Sequence, residues 1–249
     1  MKKTIIIAAG MGKRLRPLTN NSPKCLLKVG KKSILSNQIQ IFKSLGIKNI
    51  NIIYGYKKNK FNKKIANFFF NKNYKKNNIL GSLFSAKKIL YGDCLISYSD
   101  IIYKKLVIKK LLSSKEDISI VTDTAWRKAY KGRTQHPMSE AEKVTFNNSS
   151  FLKSAGKNLN NKRANAEFIG VLKLSPKGCK IFKKYYEIAK NKFFRKKFYN
   201  ADNITKAYIM DFLNFLVHNK IKIKCVKING SWMEIDTVED FNKAQKFYK

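Results

Sequence analysis

The stretch Ile5–Val29, IIIAAGMGKRLRPLTNNSPKCLLKV, begins like a buried strand and continues as a loop rich in glycine and basic residues. An apolar run that ends in glycine is typical of a strand covered on both faces of a parallel sheet. Gly10 and Gly12 let backbone N–H groups approach a ligand closely, and a helix N-terminus after them favours an anion. Three cations follow, namely Arg14, Arg16 and Lys24. The stretch therefore predicts a polyphosphate site at the end of the first strand.

The spacing within this loop matches neither GxxxxGK[ST] nor GxGxxG. These are the patterns of P-loop nucleotide hydrolases and of dinucleotide-binding Rossmann domains. We therefore set aside both classes. A glycine turn flanked by solvated cations is the structural alternative.

Beyond this loop, segments of strand and helix character alternate along the first half of the chain. We predict strands at 4–10, 49–56, 93–103 and 117–126, and helices at 34–47, 63–70, 78–90 and 105–114. In the second half we predict a hairpin at 142–157, a strand at 166–175, helices at 176–193 and 204–220, and a strand, turn and helix over 221–249. This alternation is typical of an α/β fold, and we expect one Rossmann-like domain over residues 1–249 with a mixed, mostly parallel sheet flanked by helices.

The composition carries an extreme charge, since 53 lysines and arginines stand against 15 acidic residues, a formal net charge of +38. Such a charge favours nucleic-acid binding. However, the lysines are spread along the whole chain and accompany abundant Asn, Ile, Phe and Tyr, a pattern typical of drift toward A- and T-rich codons. Arginine, which nucleic-acid grooves favour for its bidentate fork, is rare. We therefore expect no nucleic-acid partner, although the basic surface would attract anionic ligands.

The remaining composition indicates a soluble, cytoplasmic chain that does not insert into a membrane, because no apolar run approaches the roughly 20 residues needed for a span. The four cysteines are widely spaced and the chain has two histidines, so we expect free thiols and no zinc site. The sequence is compatible with a monomer and with a homo-oligomer.

The segment AAGMGKRLRPLTNNSPKCLLKVGKKSIL resembles the signature of nucleotidyltransferases that join a nucleoside triphosphate to a phosphorylated small molecule. The resemblance continues through LGIKNINIIYGYKK, NILGSLFSAKKIL, LISYSDIIY and GSWMEIDTVEDFNKA, and so covers practically the whole chain. It implies the nucleotide-diphospho-sugar transferase-like version of the predicted fold. One position departs from the pattern, since Ser99 stands where the family usually has glycine, which leaves the backbone there less free.

The resemblance implies roles for individual residues. The nucleotide would be held by Ala8, Ala9, Gly10, Gly12, Asn78 and Ser82. The triphosphate would be gripped by the catalytic cations Arg14 and Lys24, and Mg²⁺ would be held by Asp100 and Asp236. Transfer at the α-phosphorus needs positioning and charge neutralisation, and two carboxylates holding Mg²⁺ suit that need. Considered singly, either acid would more often be a strand-end cap.

The segment Asp123–Val144 is predicted to choose the acceptor, within a small β insert at about 123–160. It combines aromatic side chains with carboxylates in a chain poor in acids, a pairing that suits an amine. We assign Trp126, Tyr130, Glu140 and Glu142 to that amine, and Arg133 and His136 to a phosphate or phosphonate. By resemblance, the acceptor would also contact Lys157, Glu167 and Asp211. The alternative is a surface flap with ordinary packing aromatics, with Glu167 at a strand edge and Asp211 as a solvated helix residue.

The segment resembles the corresponding part of cytidylyltransferases for phosphocholine and 2-aminoethylphosphonate. This resemblance implies an enzyme that transfers CMP from CTP to a phosphorylated or phosphono amino-alcohol and releases pyrophosphate. The same chemistry on a sugar 1-phosphate or on phosphoglutamine is the first alternative. A basic nucleic-acid-binding protein is an alternative of a different class.

Overall fold

The computed structural model describes residues 2–247, so Met1, Tyr248 and Lys249, at the ends of the predicted domain and of the last predicted segment, lie outside it. The strands are β1 (Lys2–Ala8), β2 (Lys28–Val29), β3 (Lys32–Ser33), β4 (Asn49–Tyr54), β5 (Asn67–Phe70), β6 (Asp93–Tyr98), β7 (Ile101–Tyr103), β8 (Ile118–Asp123), β9 (Lys143–Phe146), β10 (Leu152–Ala155), β11 (Ala166–Leu174), β12 (Lys224–Ile228) and β13 (Trp232–Glu234). The α-helices are α1 (Ile34–Ser44), α2 (Ile79–Phe84), α3 (Lys105–Leu112), α4 (Trp126–Ala129), α5 (Pro176–Phe193), α6 (Ile209–His218) and α7 (Val238–Ala244). Short 3-10 turns include Lys13–Leu15, Lys24–Leu26 and Met138–Glu140.

Strand β1 lies inside the main sheet, parallel to β4 on one side and to β6 on the other. The apolar run of β1 is buried because both faces of this sheet are covered. Strand β5 extends the parallel part beyond β4. The long strand β11 runs antiparallel to β6 and β8, and β8 is parallel to β12. The predicted α/β class with a mixed, mostly parallel sheet is confirmed.

One predicted helix is wrong. Residues 63–70 form a 3-10 turn at Lys63–Ile65 followed by strand β5, which pairs with β4. The rings of Phe68 and Phe70 pack against Tyr54 on that neighbouring strand, and Phe68 also meets Phe61. Aromatic residues fit a pleated edge better than a short isolated helix.

The hairpin predicted at 142–157 is confirmed as β9 and β10, which pair antiparallel. The strand predicted at 93–103 divides after Tyr98, since β6 belongs to the main sheet and β7 pairs with β13 in a small separate sheet. This division places Asp100 between the two sheets, at the carboxyl end of β6. Within the described residues, no helix is long and apolar enough to cross a bilayer.

The segment between β8 and β9 is anchored to the start of α7. The Arg133 guanidinium donates through Nε to Asp240 Oδ1 at 2.9 Å. The other oxygen of Asp240 accepts the backbone N–H groups of Asp236 and Thr237, at 3.1 and 3.0 Å. Nearby, Glu239 accepts the backbone N–H of Gln135 at 2.9 Å. Asp240 therefore joins this segment to the turn that carries Asp236.

We predict that Arg133→Ala destabilises the protein by about 3–5 kcal/mol, because it leaves the carboxylate of Asp240 buried without its charged partner. The two side chains are 7% and 2% exposed, so water replaces the guanidinium poorly. Chemical denaturation measures the loss. Glu239→Ala, which cuts a more exposed anchor of the same segment, is the matched control and should cost clearly less; equal losses in the two variants would contradict the role of the buried pair.

Candidate active site

The loop after β1 folds back on itself at Gly12, which adopts a left-handed conformation (φ 58°). A Cβ atom there would lie 3.1 Å from Lys24 Cβ and 3.2 Å from Thr19 Cγ2. The Thr19 hydroxyl also donates to the Gly12 carbonyl oxygen at 2.8 Å. Glycine is therefore required at this position, because it permits both the backbone geometry and the close approach of Lys24. A Cβ at Gly10, by contrast, would meet no atom within 4 Å.

A cavity of about 330 Å³ opens between this loop and the N-terminal end of α2. It is lined by every residue that the sequence assigns to the nucleotide, namely Ala8, Ala9, Gly10, Gly12, Asn78 and Ser82. The assigned cations Arg14 and Lys24 and the assigned acids Asp100 and Asp236 line it too. Ser99 also lies on the wall and keeps a negative φ, so its side chain imposes no left-handed strain. The structure thus gathers these residues around one cavity, and their roles stay predictions.

The charged end of this cavity is organised by Lys24. Its ammonium donates to Asp100 Oδ2 at 2.9 Å and also to Asp236 Oδ1, while Arg14 pairs with Asp236 Oδ2. Burial alone would lower the pKa of Lys24, but Asp100 and Asp236 outweigh it and raise the pKa above its ordinary value. Burial would raise the pKa of Asp236, yet Lys24 and Arg14 hold it well below its usual range. Lys24 and Asp236 are therefore both charged at neutral pH.

The two carboxylates also fit a divalent cation. Asp100 Oδ1 is buried and has no hydrogen-bond partner among the described residues. Carboxylate oxygens are the donors that Mg²⁺ prefers. An unpartnered carboxylate oxygen beside a second carboxylate is therefore compatible with the predicted metal, which Asp100 and Asp236 would hold.

A second cavity of about 230 Å³ adjoins the first and shares Arg14, Asn78, Ile79 and both carboxylates with it. Its other lining residues are Tyr98, His136, Glu140, Glu142, Lys157, Tyr208 and Glu234. Three polar atoms on its wall are buried and have no hydrogen-bond partner within residues 2–247, namely Tyr98 Oη, Glu142 Oε2 and Asp100 Oδ1. Buried polar atoms are normally paired, so this cluster indicates that a ligand supplies the missing partners.

The charges in this second cavity are mixed. Burial raises the pKa of Glu142 to about 8, opposed by Lys157 and reinforced by Glu167, Asp100 and Asp211. Lys157 pairs with Glu140 at 2.7 Å and lies 5.1 Å from the centre of the Tyr208 ring. Burial, followed by the charges of Asp236 and Asp100, raises the pKa of Glu234 well above its ordinary value. The cavity can therefore offer both a cation and carboxyl groups to one small molecule.

His136 lines the second cavity between Arg133 and three acidic residues. Its Nδ1 lies 2.9 Å from Arg133 Nη2, and a guanidinium can only donate. Nδ1 also lies 3.6 Å from Asp240 Oδ2 and 3.7 Å from Asp236 Oδ2, while Nε2 lies 3.7 Å from Glu234 Oε2. Ligand atoms of His136, Glu234 and Asp236 lie within 4.8 Å of one another, as a metal site would require. The Arg133 contact favours Nε2 as a hydrogen-bond donor to the cavity instead of a metal ligand.

Several residues that the sequence assigns to the acceptor lie behind the wall of this cavity. Trp126 is fully buried in a small cluster with Tyr130, Ala141 and Ala164. Tyr130 donates to Glu167 Oε1 at 2.5 Å, and burial raises the pKa of Glu167 to about 7.

Two further assigned residues have structural partners. Asp211 accepts the backbone N–H of Tyr208 at 2.9 Å at the start of α6. Arg133 is held by Asp240 and His136. The assignments of Trp126, Tyr130, Arg133, Glu167 and Asp211 to the acceptor stay predictions.

The sequence reading missed several wall residues, namely Tyr74, Asn77, Tyr98, Tyr208 and Glu234. Glu234 lies two residues before Asp236 on β13, and its presence in an acid-poor chain was an available signal. Tyr98 ends a buried strand and reads as core from sequence alone. For the two tyrosines in loops, at 74 and 208, the sequence carried no signal.

Comparison with known proteins shows which protein family this chain is similar to. A family model described as nucleotidyl transferase matches residues 3–129. CTP:phosphoglutamine cytidylyltransferase of Campylobacter jejuni is 34% identical over 247 residues, covering 95% of this chain and 96% of that protein. Choline-phosphate cytidylyltransferase of Streptococcus pneumoniae is 37% identical over 116 residues, 45% of this chain and 51% of that protein.

The fold is shared with solved structures as well. The structure of CTP:phosphocholine cytidylyltransferase from Streptococcus pneumoniae superimposes with a TM-score of 0.75, covering 100% of this chain and 99% of that one at 23% identity. That likeness concerns the fold. Together with the full-length relative and the family model, it leads to one conclusion: this chain is an enzyme of the nucleotidyltransferase family.

Proposed function

We propose that this enzyme transfers CMP from CTP to a small phosphorylated acceptor that carries an ammonium group and a carboxylate, as phosphoglutamine does. One observation carries the choice of acceptor class. Five of the 15 acidic residues in the chain, Asp100, Glu140, Glu142, Glu234 and Asp236, line the second cavity together with Lys157. In a chain of net charge +38, acids gathered in one small cavity are suited to a cationic group.

The chemistry of the wall favours a primary over a quaternary ammonium. A quaternary ammonium has no N–H donor and is held by aromatic faces. Here Trp126 is buried away from the cavity, and Lys157 already lies over the ring of Tyr208 at 5.1 Å. Glu142 Oε2, by contrast, has no hydrogen-bond partner among the described residues and can accept an N–H. Lys157 on the same wall can pair with a carboxylate of the acceptor. The full-length similarity to the phosphoglutamine enzyme supports the same acceptor class ahead of phosphocholine and 2-aminoethylphosphonate.

The proposed reaction is an in-line displacement at the α-phosphorus of CTP. An oxygen of the acceptor phosphate forms the new P–O bond, and the bond to pyrophosphate breaks, with pyrophosphate leaving with its electron pair. Lys24 and Arg14 would bind the triphosphate and neutralise the charge that develops there. Asp100 and Asp236 would hold Mg²⁺, which when bound polarises the α-phosphate and offsets its negative charge. His136 would donate through Nε2–H to the acceptor phosphate, and the segment at 123–160 would form one wall of its site.

The test is a matrix of nucleotides against acceptors, read by pyrophosphate release in the presence of Mg²⁺. We expect the highest kcat/KM with CTP and phosphoglutamine, and lower values with phosphocholine, 2-aminoethylphosphonate and a sugar 1-phosphate. Lys24→Ala and Asp236→Ala should lower turnover by at least about 100-fold, because each removes a group that stabilises the transition state. Fully active variants would refute the site, and a preference for phosphocholine would refute the acceptor class.

The proposed ammonium site also predicts a pH dependence. With a pKa of about 8, the Glu142 carboxyl is mostly protonated at pH 7 and half ionised at pH 8. The ionised fraction that can bind an ammonium therefore rises about fivefold over this interval. We expect kcat/KM for the acceptor to rise accordingly, relative to Glu142→Gln measured at the same pH values. A ratio between the two proteins that does not change with pH would contradict the role of Glu142.

The same variant has a stability signature that checks its folding. A carboxyl whose pKa is raised on folding stabilises the protein below its ordinary value of 4.5, and that stabilisation is lost as the pH rises toward about 8. Above pH 8 the wild-type protein therefore holds a buried charge that Glu142→Gln lacks. We expect the variant to unfold at the same or a higher temperature than the wild-type protein at pH 8.5, so lost activity would not reflect unfolding.

A further inference from the structure

The nucleotide cavity is lined by both charged and uncharged polar residues. The charged ones include Lys24, Asp100 and Asp236, where the phosphates are expected. The uncharged ones include Tyr74, Asn77 and Ser82, which can form hydrogen bonds. A wall of such uncharged residues suits the nucleobase of a nucleotide whose phosphates lie at the charged ones.

Behind this wall, Asn71 has a fixed amide orientation. Its Oδ1 accepts the backbone N–H of Asn73 at 3.0 Å, and a backbone N–H can only donate. The amide nitrogen of Asn71 therefore points the other way. It donates to Asn77 Oδ1 at 3.0 Å and to Ser82 Oγ at 3.1 Å. Asn71 is 1% exposed, so water does not compete for these bonds.

This orientation decides what the wall presents to the cavity. Ser82 Oγ accepts from Asn71, so its own proton is directed away from Asn71, and no acceptor for that proton is recorded among residues 2–247. Asn77 Oδ1 is likewise engaged by Asn71, and Asn77 Nδ2 returns one N–H to Asn71 Oδ1 at 3.4 Å. The second N–H of Asn77 has no recorded partner in the described chain. The wall therefore offers two donors, the Ser82 hydroxyl and the Asn77 amide.

We propose that Ser82 and Asn77 read the O2 and N3 atoms of cytosine, and that Asn71 is the positioning residue that orients both donors. The inference rests on the proposed function and deepens it by naming the residues that select the base. Cytosine carries two adjacent acceptors at O2 and N3, which match two donors, whereas N3 of uracil carries a proton and would face a donor. A buried donor opposed by another donor is costly, so the wall rejects UTP.

The variant Asn71→Asp tests the orientation. An ionised carboxylate only accepts, so it would take the Ser82 proton and turn an oxygen lone pair of Ser82 toward the cavity. We expect the ratio of Kd values for UTP over CTP, measured by calorimetry with Mg²⁺ and no acceptor, to fall at least tenfold. Asn73→Asp is the matched control, since it adds the same charge two residues away on an exposed side chain, and it should leave the ratio unchanged.

A second variant keeps the inference testable if a buried carboxylate unfolds the protein. Ser82→Ala removes one donor from α2, and alanine is well tolerated in a helix. It should weaken CTP binding at least fivefold and UTP binding much less. If both folded variants keep the wild-type ratio, the assignment of these residues is wrong.

The wild-type protein separates this inference from the proposed function. Equal binding of CTP and UTP would overturn the inference and leave nucleotidyl transfer standing. Selective CTP binding without turnover of any acceptor in the matrix would overturn the proposed function and support the base assignment. Binding of neither nucleotide would overturn both.

Discussion

The ammonium of Lys24, held between the carboxylates of Asp100 and Asp236, is the interaction on which the site depends. It joins the loop after β1, the end of β6 and the turn before α7, three segments far apart in sequence. Two carboxylates this close would repel each other without a cation between them. Because Asp240 holds the backbone of Asp236 and also binds Arg133, the same turn fixes the segment that carries His136. The residues proposed to bind the nucleotide, to hold the metal and to form the acceptor wall are thus one connected structure.

The part of this arrangement that sequence could predict is the part encoded locally. The apolar run before Gly10 reads as a buried strand, and it forms β1 inside the sheet. In an α/β sheet, acids that follow strands collect at one edge, so Asp100 and Asp236 were expected near the loop, and both line the same cavity as Lys24. Repeated apolar spacing located the long helices α1, α5 and α6 well.

The part that sequence could not predict depends on tertiary partners. The sequence predicts Trp126 and Tyr130 as parts of an amine cage, and their burial in a small apolar cluster could not be read from it; their contact with the acceptor stays a prediction. Arg133 reads as a phosphate grip, yet its donors meet Asp240, which lies 107 residues away in the chain. The orientation of Asn71 depends on one backbone N–H in its own loop, and no composition or period reveals such a contact. The type of a side chain limits the interactions it can form, and its neighbours in the folded structure determine which of them it forms.

The chain as a whole is strongly basic, whereas the proposed acceptor cavity gathers acidic side chains, and this contrast can be explained by the proposed ligands. CTP and a phosphorylated acceptor are both anions, so a surface of net charge +38 would raise their local concentration. A uniformly basic cavity, however, would hold phosphates in any orientation and would repel an ammonium group. Carboxylates gathered beside Lys157 break that uniformity. In the proposed function, this cavity would set the orientation of the acceptor, with its phosphate toward Lys24 and Arg14 and its cation toward Glu142.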